Sequence, residues 1–336
     1  MERQCNGLLG SMLVFVLLLF IPQASFAQDV ICREESPIPD GYVITSVVPK
    51  SSCATGYGAK VELPVNNLLV CAHSPIPSPF VVTGGTDGYD TTTCRGVGRL
   101  LIHTVADNMM VCSNSPIPPG YGVTYFTNDR QTCLIGRKLL NTLHDGMLIC
   151  SLMTSIPSPY VVTWVGTGLN CGNAHQTYRI NTIQDGMDVC AQSTIHPGYV
   201  VTRIVQGSYC GNSKTYTLNT VYDGIFVCEN SPVPPSYVVT WKGVYATCGS
   251  SYKSYQLNEV SDNIDVCSFS PIPAGYVVTA ISDTSSCMQS QQYRLQIPYE
   301  GMIVCANSPI PAGWKKNGTV SVNYCGLFQG VWLARS

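Results

Sequence analysis

Beyond residue 28 the apolar positions of this chain do not keep a helical period. They gather in short β-branched and aromatic runs such as Tyr160-Val161-Val162-Thr163-Trp164, and in stretches such as Thr177 to Ile183, Thr215 to Thr220 and Met187 to Cys190. Runs of that length and composition predict strands. Proline and glycine punctuate them. Ser-Pro-Ile-Pro segments, as at Ser36, Ser74, Ser115, Ser270 and Ser308, fix φ twice and bias their neighbours to extended geometry, so no helix passes through them. Ser231 to Pro234 carries Val for Ile, and the copies at Ser155 to Pro157 and Ile195 to Pro197 are degraded. The pairs Asp107-Asn108, Asp145-Gly146, Asp185-Gly186, Asp223-Gly224 and Asp262-Asn263 tolerate positive φ and predict tight hairpin turns.

The pattern repeats. Cys32, Cys71, Cys112, Cys150, Cys190, Cys228, Cys267 and Cys305 are spaced 38 to 41 residues apart, and so are Cys53, Cys94, Cys133, Cys171, Cys210, Cys248, Cys287 and Cys325. Two interleaved ladders make eight tandem units of about 39 residues. The fold class expected is all-β, with each unit stapled by one disulfide. Either Cys150 with Cys171 or Cys171 with Cys190 is a regular pairing, and spacing does not choose between them.

A unit this small cannot bury enough apolar area alone, so neighbours must share a core. Under the hairpin reading the first strand of the mature chain lacks its partner, and so does the last segment, from Phe328 to Ser336. Their pairing within one molecule would close a propeller-like ring, the favoured architecture. Pairing between molecules would give a filament, and no pairing an open β-repeat rod.

The first 27 residues read as a signal peptide. Met12 to Ile21 is apolar, Pro22 ends the run, and Ser25 and Ala27 offer small residues for cleavage. Residues 28–336 then form the repeat domain. Of 17 cysteines, Cys5 leaves with the leader, and the even remainder in an exported chain points to disulfides. The net charge of −2 and the scarcity of charged side chains argue against nucleic acid as a partner. No later segment is apolar enough for membrane insertion after signal cleavage.

No catalytic, cofactor-binding or metal motif occurs, so the chain is expected to be a non-enzyme without cofactors. His73, His103, His144, His175 and His196 occupy different places in the unit and form no visible set. Each connector is followed by an aromatic residue: Tyr42, Phe80, Tyr121, Tyr160, Tyr199, Tyr237, Tyr276 and Trp314. These rings are read as core material over the prolines, or alternatively as stacking platforms for a ligand. Trp164 and Trp241, later in the same strand, are the better contact candidates. The function expected is a secreted, periplasmic or cell-surface repeat protein with a structural or adhesive, multivalent role. Its partners would be an extracellular surface, a glycan or a second copy of itself; the alternative is a lectin-like propeller. Asn317-Gly318-Thr319 is the lone glycosylation sequon.

Overall fold

The computed structural model describes residues 30–32, 37–90, 92–130, 132–133, 135–152, 156–172, 175–249 and 252–336. The leader, Cys5, Ser36 and Ser155 lie outside them. Eight antiparallel three-stranded sheets follow one another along the chain, spanning 30–62, 68–104, 109–142, 148–182, 187–220, 225–259, 264–296 and 303–335. They are called units 1 to 8 below. In unit 5 the strands are Met187–Cys190, Tyr199–Gln206 and Lys214–Thr220, and the third lies between the first and second. Helical structure among the described residues is limited to two short 3-10 turns, Leu169–Cys171 and Ala246–Cys248.

This arrangement corrects the hairpin expectation. The strand before each Asp-Gly pair does not fold back on the strand after it. Gln176–Thr182 pairs with Leu148–Cys150 and Tyr160–Thr167, both earlier in its own unit, while Met187–Cys190 pairs with Lys214–Thr220. The pairs do take positive φ, at Asn108, Gly146, Gly186, Gly224 and Asn263, but they join one sheet to the next. Their acids act over a distance. Asp145 accepts from the backbone N–H of Thr182 at 2.6 Å, Asp185 from Thr220 at 2.6 Å and Asp223 from Glu259 at 2.8 Å. Each acid therefore ties the entry of a unit to its exit.

The ring is corrected for the same reason. Val30–Ile31 pairs with Tyr57–Glu62, and Gly330–Arg335 is the central strand of unit 8, so neither end offers an orphan edge. The substantial contacts lie within units or between adjacent ones, and none joins unit 1 to unit 8. Among the described residues the chain is an open stack with no propeller closure.

All sixteen cysteines of the two ladders form disulfides inside their own units, from Cys32–Cys53 to Cys305–Cys325, with Cα atoms 5.3–5.5 Å apart. Each bridge closes the half of the unit that contains the prolines. A loop of this length restricts the unfolded chain by about 3 kcal/mol.

Neighbours share cores through these bridges. Val189, Val201 and Leu218 of unit 5 pack with Val161 of unit 4 and the Cys228–Cys248 bridge of unit 6. Unit 6 repeats the scheme with Val200 behind it and Cys267–Cys287 ahead, and unit 3 with Val81 and Cys150–Cys171. Two consecutive valines, such as Val161 and Val162, are thus both fully buried although they point to opposite faces of the strand. A bulge follows the pair, between Val162 and Trp164 in unit 4 and between Val201 and Arg203 in unit 5. The connector serine of the next unit satisfies the N–H at the bulge: Ser193 accepts from Val162 at 2.7 Å, Ser231 from Val201 at 2.9 Å and Ser270 from Val239 at 2.8 Å. The second strand, a sheet edge, is further covered by the next cysteine loop, as Val165 N–H donates to Tyr209 O and Ile281 N–H to Tyr324 O.

Candidate functional site

Side chains on the central strand alternate, so each unit has one row, across three strands, that turns away from the core. Cross-strand register identifies it. In unit 3 the row is Met110, Leu139 and Tyr125; in unit 5 it is Asp188, Thr217 and Arg203. Unit 6 places Phe226, Gln256 and Trp241 there, and unit 7 places Asp265, Arg294 and Ala280. Serines, valines and cystines recur from unit to unit, but this row does not. The stack thus presents a series of different outward rows, not eight equivalent sites.

Beside the rows runs a polar ladder. Thr124 Oγ1 donates to Asn141 at 2.5 Å, Thr202 to Asn219 at 2.6 Å and Thr240 to Asn258 at 2.6 Å. Between units the surface dips into open grooves. One of about 550 Å3 lies between units 3 and 4, lined by Thr124, Asn141, His144 and Met147 among others. Another, of about 500 Å3, occupies the equivalent position between units 7 and 8, lined by Thr279, Gln296, Tyr299 and Met302 with Asn263, Arg294, Tyr324 and Trp332.

The aromatics that follow the connectors are core material. Tyr42, Phe80, Tyr121, Tyr160, Tyr199, Tyr276 and Trp314 are half-buried against the apolar clusters of their own units, and Tyr237 is buried outright. Tyr160 donates to the Leu143 carbonyl at 3.0 Å and Tyr237 to Glu259 at 3.2 Å.

Trp164 and Trp241 do stand in outward rows, but they are engaged there. Each indole lies over the glycine two residues on; a Cβ at Gly166 would sit 2.1 Å from the Trp164 ring, and one at Gly243 2.0 Å from the Trp241 ring. Glycine is required at both places by this close approach. Phe226 meets Trp241 edge-on at 5.6 Å and stacks on Tyr245 at 5.1 Å, and the Arg179 guanidinium lies 5.9 Å over Trp164.

The histidines are dispersed. His103 bridges Thr83 and Asn67 at 2.7 Å each, His144 contacts the Asp145 carbonyl, and buried His196 contacts the Tyr160 carbonyl at 2.9 Å. His175 packs edge-on to Phe126, and His73 lies elsewhere, after the Cys71 bridge. Among the described residues no three His, Cys, Asp or Glu side chains gather as a metal set, and no helix is long and apolar enough to cross a membrane. The most unusual ionisable group is Lys138 in unit 3, buried, with its Nζ donating to the carbonyls of Ser113 and Ser115; desolvation pushes its pKa down to about 8.

No protein family, curated protein or solved structure matches this chain. The site must therefore be read from its own residues. Tyr299, Tyr324 and Trp332 are the groove residues that motif reading misses. For Trp332 the signal is departure from the repeat, since it stands where unit 7 has Arg294 and unit 5 has Thr217.

Proposed function

We propose that this protein is a non-enzymatic, extracellular repeat protein with a structural or adhesive role, exported by the leader at residues 1–27. The observation that carries this reading is the contrast between scaffold and surface. The residues that hold units together recur, including eight disulfides that need an oxidising compartment, while the outward rows vary. A long surface of unlike rows suits attachment at several points, where avidity accumulates from weak contacts. The partners proposed are an extracellular surface, a glycan or a second copy of the chain.

Beads coated with the oxidised protein are expected to adhere to cells or extracellular matrix, and beads coated with reduced, alkylated protein are not. Equal adhesion by both forms overturns the adhesive role. Catalytic turnover in a hydrolase substrate panel overturns the non-enzymatic part. Amino-terminal sequencing of exported protein is expected to begin at Gln28.

A further inference from the structure

We infer that the groove between units 7 and 8 is a binding site for a neutral oligosaccharide. This builds on the adhesive reading above and names a ligand class for one place on the stack. Three rings line the groove and remain open to solvent: Tyr299 is 63% exposed, Tyr324 40% and Trp332 39%. Among the described residues, no other ring or cation packs on any of them. Exposed rings converging on one concave surface are a poor use of apolar area unless a ligand covers them.

The polar lining narrows the ligand. The guanidinium of Arg294 is held by both oxygens of Asp265, at 2.9 Å each, so its charge is compensated in place. The remaining polar groups are the amides of Gln296 and Asn263, linked at 3.4 Å, and the Thr279 hydroxyl. With no uncompensated cation in the lining, the groove has nothing to select a phosphate or carboxylate. It is open and part-polar, not the enclosed apolar pocket a lipid tail would need. Flat rings beside neutral amides match a sugar, whose C–H face stacks on aromatics while its hydroxyls exchange hydrogen bonds with amides. The volume of about 500 Å3 lies within the size of small-molecule clefts, and the open ends leave room for a chain of sugars.

The test titrates the full oxidised chain with neutral hexasaccharides of glucose, mannose, galactose, xylose and N-acetylglucosamine, followed by calorimetry and tryptophan fluorescence. At least one series is expected to bind with a Kd at or below about 1 mM. Trp332→Ala and Tyr299→Ala should each weaken it by about three- to tenfold, the size of one aromatic contact. Tyr222→Ala is the control. It removes the exposed tyrosine at the matching place between units 5 and 6 and should leave affinity unchanged. Gln296→Ala removes a lining amide without touching the rings and should also weaken binding. No binding of any series at about 10 mM overturns the proposal, as does binding indifferent to both ring variants. Bead adhesion that persists in a protein binding none of these sugars overturns the glycan site and leaves the adhesive role standing.

Discussion

Units 5 and 8 have the same three strands in the same order, and each has one disulfide, yet their second strands differ. In unit 5, Val200 and Val201 are fully buried, each in a shared core, and Ser231 of unit 6 accepts the N–H of Val201. In unit 8 the same place holds Lys315 and Lys316, both exposed, and the bulge that follows takes in two residues, Asn317 and Gly318. Unit 8 nonetheless completes its sheet. The valine pair and the connector serine are therefore devices of the junction, not requirements of the sheet. Lysines in place of the valine pair leave this face of unit 8 without the apolar residues that the other junctions bury.

The comparison can be broken most forcibly at the disulfides. Cys228–Cys248 and Cys32–Cys53 close loops of nearly equal length, separations 20 and 21, so their chain-entropy contributions match at about 3 kcal/mol each. Only the first lies within a neighbour's core. Replacing Cys228 and Cys248 by Ala should cost about 2 kcal/mol more than replacing Cys32 and Cys53, read from denaturant midpoints. Equal costs would separate the bridge from the junction.

The lysine face is tested by inverting it. With Lys315→Val and Lys316→Val, each new valine gains about 2 kcal/mol on meeting a second copy. Light scattering should show concentration-dependent association that the parent lacks. The serine ladder comes next. Ser231→Ala leaves the buried Val201 N–H without its acceptor and should cost about 1–3 kcal/mol. Ser113→Ala, which removes a hydrogen bond to the Ile135 carbonyl that solvent reaches, should stay within about 0.5 kcal/mol.

Two titrations give the finest resolution. Backbone amides of Thr142 and Thr220 hold the carboxyls of Asp107 and Asp185 below their ordinary range, and the Thr182 hydroxyl does so for Asp145. A depressed folded pKa gives stability present above the unfolded value, about 3.9, and lost as pH falls through the folded one. Melting temperature should therefore drop on acidification below about pH 4, and less steeply in Asp145→Asn. Lys138 gives a slope of the same sign from the opposite cause, since burial penalises its charged form where hydrogen bonds favour the charged carboxylates. Its folded pKa near 8 lies below the unfolded value of about 10.4, so the folded chain holds fewer protons between them and stability rises with pH across that window. Tyr178, Tyr216, Tyr255 and Tyr293 take its register position in units 4 to 7. Lys138→Met should be more stable at neutral pH and should lose the alkaline rise.

The eight units, their strands, their connectors and the cysteine ladders are all legible from spacing. The partition of strands is not. Asp145-Gly146 has the residues of a hairpin turn, and its glycine takes the positive φ that composition implies. Yet the strand before it is already satisfied within its own unit, where Arg137–Thr142 lies between Met109–Cys112 and Tyr121–Thr127. Turn chemistry reports local backbone geometry and says nothing of which strands are free to pair. The aromatic that follows each connector packs against the apolar cluster of its own unit. The groove rings escape because Tyr299, Tyr324 and Trp332 lie far apart in the unit pattern, and only the packing of unit 8 on unit 7 brings them to one groove.

The placement of the cystines also bears on what happens when the molecule is pulled by its ends. Force can draw out only the chain between bridges, for instance the 17 residues between Cys210 and Cys228, or about 60 Å of contour. The other half of each unit stays locked behind sulfur. A tether of this kind lengthens in short, equal steps and then stiffens, and a reductant should roughly double the length released per step.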